Sequence, residues 1–419
     1  MKAGARKLLG LLAGGVALGV LGSAQAAMAA DSGPIKIGVI GEESAVAGAS
    51  ITKAAQLAAD DINKAGGVDG RKVEVIVYDD HSSATDAVRA FQRAVKQDHV
   101  VAVVASYISE VALAIEPWAA RLHTPFITPG AASTLISKNV HDNYDKNKYT
   151  FHGYINSAFQ ADGVCAFSHD VLVGKLHMKT AAIMSEDAAW TTPLDEEFAK
   201  CLPKAGLKVV DHIRFNPDTT DFTPIFNKIE GEHPDIIETG MAHVGVQPTV
   251  QWHQQQVPVP MAGISAQATT SSFWKDTNGA ADGVITYTAA TSDVALTPKT
   301  IPFADAYQKK FGASPSYSGY ASYDAVQVFA DAIKRAKSTD ADKMVAALEK
   351  TDFVGTQGRI QFYGKDSQYA HALKYGQGLV TGLFVQWQNG KQVPIWPDSL
   401  AKAKIAFPSF IKLNEASSQ

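Results

Sequence analysis

The stretch Ala59-Asp60-Asp61-Ile62-Asn63-Lys64-Ala65-Gly66-Gly67-Val68-Asp69-Gly70 decides the fold class. Before it stands Ile35-Lys36-Ile37-Gly38-Val39-Ile40-Gly41, and after it Val73-Glu74-Val75-Ile76-Val77-Tyr78-Asp79-Asp80. Both flanks read as strands. Between them, residues 52–64 place Ala55, Ala58, Ala59 and Ile62 on one helical face. The Gly-Gly pair then turns the chain toward the second strand. Strand, loop, helix, glycine turn and strand make one βαβ unit.

The same alternation continues. Residues 84–98 put Ala87, Val88, Phe91, Ala94 and Val95 on a second helical face. Residues 100–104 form a continuous apolar run, the pattern of a strand buried on both faces. Ser109–Leu122 reads as a helix with a kink or break at Pro117. Pro125-Phe126-Ile127-Thr128 is a short strand ending at Pro129-Gly130. Three βαβ repeats imply an open parallel sheet with helices on both faces. Residues 138–148 read as a polar loop before Tyr149-Thr150-Phe151-His152, and then the pattern restarts. Strands at 180–185, 208–213 and 235–239 alternate with helices at 160–173, 193–205, 222–230 and 246–256. Later segments add helices at 303–312, 323–336 and 341–350, and the stretches 358–362 and 382–391 read as strands and a hairpin turning at Asn389-Gly390. The fold class is α/β, with two similar doubly wound parallel-sheet domains.

Ahead of this pattern, Lys2, Arg6 and Lys7 precede an apolar run from Leu8 to Leu21. Ala24-Gln25-Ala26 and Ala27-Met28-Ala29 each fit an A-x-A cleavage site, so residues 1–29 read as a secretory signal peptide. A retained membrane anchor is the alternative, but the run is short for a bilayer span. No cysteine lies near the cleavage region, so a lipoprotein is not expected, and the mature protein is expected free in a periplasm. The 419-residue chain carries 38 Lys and Arg against 42 Asp and Glu, a net charge of −4. Without a leader that holds three bases and no acid, 35 bases face 42 acids, net −7. That balance argues against nucleic acid as a partner. Two cysteines, Cys165 and Cys201, sit on helices flanking the strand at 180–185. In an oxidising compartment a lone pair tends to close into a disulfide. Two buried thiols are the alternative.

The order and spacing of these motifs resemble the type I periplasmic solute-binding proteins, in the leucine/isoleucine/valine-binding branch of branched-chain amino acid ABC transporters. The likeness rests on Asp61 to Gly70, on Tyr78-Asp79-Asp80, and on Ile127-Thr128-Pro129-Gly130-Ala131. Thr220-Asp221-Phe222-Thr223-Pro224-Ile225 and Pro234-Asp235-Ile236-Ile237 extend it into the second half. It implies three hinge crossovers, near Gly153, Thr291 and Gln361. The lobes would then be 30–153 with 291–360, and 154–290 with 361–419.

Ligands of open parallel sheets bind outside the carboxyl ends of the strands, and two facing sheets make a cleft that closes by hinge motion. The loop Ala105-Ser106-Tyr107-Ile108-Ser109-Glu110 opens a helix whose N-terminus offers N–H groups to an anion. The resemblance gives Ser109 the ligand carboxylate; the other reading is a helix cap. In Pro129-Gly130-Ala131-Ala132-Ser133, the relatives' threonine falls on Ala132, with Ser133 next to it. Trp190 stands where relatives carry a tyrosine against the ligand, and Ala242 and His243 replace further tyrosines. A loop tryptophan packed on its own domain and a solvated histidine are the plain alternatives. Relatives place an acid near Ser265 to pair with an α-ammonium. This chain has Ser265 or Gln267 there, so either Glu186 or Asp187 takes that role or the ligand has no ammonium. Tyr107, Trp190 and Phe273 or Trp274 suit a flat, apolar carboxylate.

No G-x-G-x-x-G, P-loop, H-E-x-x-H or G-x-S-x-G is present, and no histidine pairs at metal-ligand spacing. Neither an enzyme nor a cofactor or metal is expected. The reading is a monomeric binding protein for a small carboxylate, favouring an aromatic or hydrophobic organic acid, that docks on an inner-membrane ABC permease. A neutral branched-chain or aromatic amino acid is the alternative ligand, and a ligand-sensing module the alternative class.

Overall fold

The strand–helix–strand unit read around Gly66-Gly67 opens a five-stranded parallel sheet in the computed structural model, which describes residues 33–413. The expected leader and its two cleavage sites lie outside those residues. Strand β1 (Ile35–Gly41) leads to α1 (Val46–Lys64) and β2 (Val73–Asp79). Helix α2 (Ala84–Lys96), β3 (Ala102–Ala105), α3 (Ser109–Leu122) and β4 (Phe126–Thr128) follow. The order is β2-β1-β3-β4 with β5 (Thr150–His152) at the edge. Gly67 has a φ of 77°, and a Cβ there would collide with the Arg71 carbonyl, so only glycine makes this turn.

Two local readings change. Pro117 lies inside an unbroken α3, and the segment expected as a polar loop is helical, as α4 (Thr134–Asp142) and α5 (Tyr144–Asn147). Ser133 caps α4 by accepting the Leu135 N–H at 3.3 Å, a local signal that a charge-rich composition hides.

After β5 the chain forms α6 (Ser157–Phe167), which runs on as a π-helical turn, Ser168–Val173. Then come β6 (Thr180–Glu186), α7 (Thr191–Ala205), β7 (Lys208–Phe215) and α8 (Thr223–Glu232). Next are β8 (Ile236–Met241), α9 (Gln247–Gln254), β9 (Met261–Ser265) and the short α10 (Phe273–Asp276). The second sheet is parallel, in the order β7-β6-β8-β9. Cys165 on α6 and Cys201 on α7 are joined in a disulfide, with Cα atoms 5.9 Å apart.

The chain then returns. Strand β10 (Ile285–Thr288) precedes α11 (Thr300–Phe311), α12 (Tyr317–Ala336) and α13 (Ala341–Leu348). Helix α12 lies on α1: Ser318 and Ser322 donate to the Ala47 and Ile51 carbonyls at 2.7 and 2.8 Å. Small hydroxyl side chains let these two helices approach closely while both serine hydroxyls stay paired. A two-residue ladder of β11 (Phe353–Val354) and β12 (Arg359–Ile360) follows. The hairpin of β13 (Leu383–Gln388) and β14 (Lys391–Trp396) turns at Asn389 and Gly390, with φ of 50° and 82°. Strand β13 also pairs with β10, completing a three-stranded antiparallel sheet. No helix of the described residues is long and apolar enough to cross a membrane.

Candidate binding cavity

Loops from the carboxyl ends of both parallel sheets meet around a cavity with mostly apolar walls. On the first-sheet side, Ser106 adopts a left-handed φ of 65°, and its Oγ accepts the Ile108 N–H at 2.9 Å. That turn sets Tyr107 in the cavity wall, where its hydroxyl donates to Glu42 Oε2 at 2.7 Å. Gly130 is also in the wall, and a Cβ there would lie 2.6 Å from Tyr107 Cβ. The two loops can touch only because residue 130 is glycine.

Ser109 stands behind this surface. Its Oγ accepts the Ala132 and Ser133 N–H groups, each at 3.1 Å, and ties the first turn of α3 to the loop after β4. Of that loop, Ala132 reaches the wall, whereas Ala131 and Ser133 are buried outside it. The Ala131 carbonyl is hydrogen-bonded to His152 Nε2. Burial pushes His152 down to about 4, so the ring is neutral and the N–H donates.

On the second-sheet side, Glu186 ends β6 and is fully buried. Its Oε1 accepts Trp190 Nε1–H at 2.9 Å and lies 2.7 Å from His243 Nδ1. Its Oε2 accepts the Ala242 and His243 backbone N–H groups at 3.0 and 2.8 Å. Burial alone would raise the carboxyl pKa, but the His243 contact and the two amides outweigh it and hold it below the usual range. Burial likewise pulls His243 down, while Glu186, Glu110 and Glu42 push it up and prevail. The contact thus favours the charged form of each partner, carboxylate on Glu186 and imidazolium on His243.

Trp190 and His243 both face the cavity, and the His243 ring stacks on Tyr107 across the cleft, with centroids 6.4 Å apart at 27°. His243 Nε2 is buried and has no hydrogen-bond partner among the described residues.

Tyr154, Gln160, Tyr287 and Tyr317 complete the wall and carry no signal in the sequence. Tyr154 follows β5 and packs on Tyr317, the first residue of α12, with centroids 4.9 Å apart. Tyr287 on β10 anchors its hydroxyl on the Thr381 carbonyl at 2.8 Å. Gln160 donates Nε2–H to the Ile155 carbonyl at 2.8 Å, which fixes the amide and leaves Oε1 buried without a partner. Ala242, Ile264 and Ala266 supply small apolar surface.

Other expected positions fall elsewhere. Ser265 Oγ accepts the Ala268 N–H at 3.3 Å as a local cap and lies outside the wall. Phe273 is buried in the second core, and Trp274 stacks on Trp387. Neither ring reaches the cavity, because α10 turns them toward the β13 strand. Asp187 pairs with Arg214 at 2.7 Å. Among the described residues no Lys or Arg lines the cavity. An adjoining cleft shares Tyr107, Ala242 and His243 and carries Glu42, Glu110, Asp187 and Asp218. Among the described residues no cluster of His, Cys, Asp and Glu could hold a metal ion.

Two parallel sheets thus turn their carboxyl ends toward a cavity walled mainly by aromatic and small apolar side chains. A profile of periplasmic binding proteins matches residues 34–381. The chain belongs to the periplasmic binding protein family. The family comprises substrate-binding proteins of transporters rather than enzymes. A Leu/Ile/Val-binding protein homolog of Brucella abortus is 25% identical over 391 residues, covering 90% of this chain and 92% of its own. A branched-chain amino acid transporter substrate-binding protein of Streptococcus pneumoniae, solved with isoleucine, is 25% identical. It superposes with a TM-score of 0.74 over 86% of this chain and 97% of its own. An ABC-transporter solute-binding protein of Rhodopseudomonas palustris, solved with 3,4-dihydroxybenzoic acid, shares the fold at 21% identity. Its TM-score is 0.71 over 86% of this chain and 95% of its own.

Proposed function

We propose that this member of the family binds a small carboxylate in the cavity between its sheets, favouring an aromatic or hydrophobic organic acid. In the proposed cycle the lobes, 30–153 with 291–360 and 154–290 with 361–419, close on the ligand about three crossovers. The closed form then docks transiently, as a monomer, on an inner-membrane ABC permease, after export by a cleaved leader and without a lipid anchor.

The observation that carries this reading is the commitment of Glu186. Both of its oxygens are taken by Trp190, Ala242 and His243, so the cavity wall holds no free acid for an α-ammonium. Burying an ammonium without an anion costs several kcal/mol. The rings of Tyr107, Tyr154, Trp190, Tyr287 and Tyr317 instead offer flat apolar surface. The Rhodopseudomonas palustris protein with 3,4-dihydroxybenzoic acid supports a ligand of this class in the same fold.

A neutral amino acid is the second reading. It is favoured by the carboxylates of Glu42 and Glu110 in the adjoining cleft and by the isoleucine held by the Streptococcus pneumoniae protein. A thermal-shift panel of benzoate, 3,4-dihydroxybenzoate, phenylacetate, isoleucine, leucine and phenylalanine separates the two, since ligands of the folded state raise its Tm. Aromatic acids are expected to shift the melt and leucine to leave it unchanged. A larger shift with leucine or isoleucine replaces the first reading with the second.

A further inference from the structure

We infer that His243, held as an imidazolium by Glu186, receives the ligand carboxylate through Nε2–H. This rests on the cavity being the ligand site, as proposed above, and assigns the anion to a residue of the second-sheet loops rather than to Ser109.

Three observations lead there. Ser109 Oγ is behind the wall and already accepts two backbone N–H groups. His243 is in the wall, and no other wall side chain carries a positive charge. Its Nδ1 is fixed on Glu186 at 2.7 Å, which leaves Nε2 as a buried donor without a partner among the described residues. A buried donor of this kind is costly unless something accepts from it. A carboxylate is the complementary group, because a hydrogen bond between two charged partners is the strongest of the common types. The stacked Tyr107 ring holds the imidazole plane in place from across the cleft. The imidazole is therefore fixed from the second-sheet side by Glu186 and held from the first-sheet side by Tyr107.

The groups facing the imidazole are all accounted for. Glu186 contacts it directly, and Glu110 and Glu42 act on it through space from α3 and the loop after β1. Tyr107 is pushed far above its usual range by burial and by Glu42, so it stays neutral. Asp80, at the end of β2, is raised by burial to about 6. Asp187 and Asp218 border the adjoining cleft. Asp80 therefore changes charge below the pH range of the test, and the imidazolium is the group the test follows.

The test uses the full mature chain with benzoate, its neutral isostere benzamide, 3,4-dihydroxybenzoate and isoleucine, by calorimetry from pH 7 to 9.5. Wild-type affinity for a bound carboxylate is expected to fall by about tenfold per pH unit once the imidazolium deprotonates, with benzamide flat. His243→Phe is expected to weaken carboxylate binding about 10- to 100-fold and to leave benzamide nearly unchanged. Glu186→Gln is expected to move the wild-type fall to lower pH. If His243→Phe does not fold, the wild-type profile alone decides.

A flat wild-type profile, or equal carboxylate binding by a folded His243→Phe, overturns the assignment. If isoleucine binds and the aromatic acids do not, the functional reading above fails while the His243 assignment is judged on isoleucine. If none of the three carboxylates binds the wild type, both fall.

Discussion

Glu110, in the first turn of α3, accepts the backbone N–H of Ala189 at 2.7 Å, joining a first-sheet helix to the loop after β6 across the cleft mouth. This bond exists only when the two sides are together, so its strength bears on closure more than on folding. Its exposure discounts it to about 1 kcal/mol. Glu110→Ala is expected to weaken ligand affinity about fivefold and to enlarge the scattering radius of the ligand-bound protein, with the ligand-free Tm nearly unchanged. An unchanged affinity with a lowered ligand-free Tm would show that Glu110 serves the fold instead.

Gln160 Oε1 is a fixed acceptor in the cavity, and a ligand hydroxyl is the natural donor to it. Sites built to hydrogen-bond a hydroxyl reject analogues that lack it. The wild type is therefore expected to prefer 3,4-dihydroxybenzoate over benzoate. Gln160→Leu should reduce that preference about tenfold, and Gln160→Glu, which keeps an acceptor, should retain more of it. A preference that survives Gln160→Leu intact would assign the hydroxyl to another partner.

Glu238 lies fully buried on β8, with Ser168 Oγ donating at 3.0 Å to one oxygen and the other oxygen without a partner. Burial raises it to about 7, against the bond from Ser168, which lowers it. The folded state thus holds a proton that the unfolded chain releases near pH 4.5. Stability from this group is present below the unfolded value and is lost as pH rises through the folded one. At pH 8 the loss approaches about 3 kcal/mol. Glu238→Gln is expected to recover much of it at pH 8 and to change little at pH 5, as read by urea denaturation. Equal effects at both pH values would remove the ionisation from the account.

The Cys165–Cys201 bond spans 36 residues of sequence, from α6 across β6 to the end of α7. Loop-closure entropy for that span is worth about 3–4 kcal/mol. A double serine variant should lower Tm by several degrees, and a reductant should lower the wild type to meet it. Reduction that leaves Tm in place would mean that packing alone holds α6 on α7.

The sheets were legible in the sequence because their strands are short apolar runs between glycine turns, and Gly66-Gly67 could be read with its mechanism. The helices at residues 134–147 were not, because their caps are local hydrogen bonds inside a polar stretch. At the site, Tyr107, Gly130, Ala132, Trp190 and His243 were reachable, since each follows a strand end of a recognised repeat. Tyr154, Gln160, Tyr287 and Tyr317 were not. They come from a crossover, a helix, a returning strand and a late helix, and only the three-dimensional path brings them together. Ser109 and Glu186 also belong to strand ends and the loops after them, but the side-chain bonds that turn them away from the cavity leave no trace in residue order.

Ala132, Ala242, Ile264 and Ala266 line the same cavity with side chains that make no hydrogen bonds, in front of a carboxylate held by the side chains of Trp190 and His243 and by the backbone N–H groups of Ala242 and His243. Ligand range in this scaffold is accordingly open to drift or engineering at those four positions. Changing those side chains reshapes the cavity while the side-chain contacts of Glu186 with Trp190 and His243 stay in place.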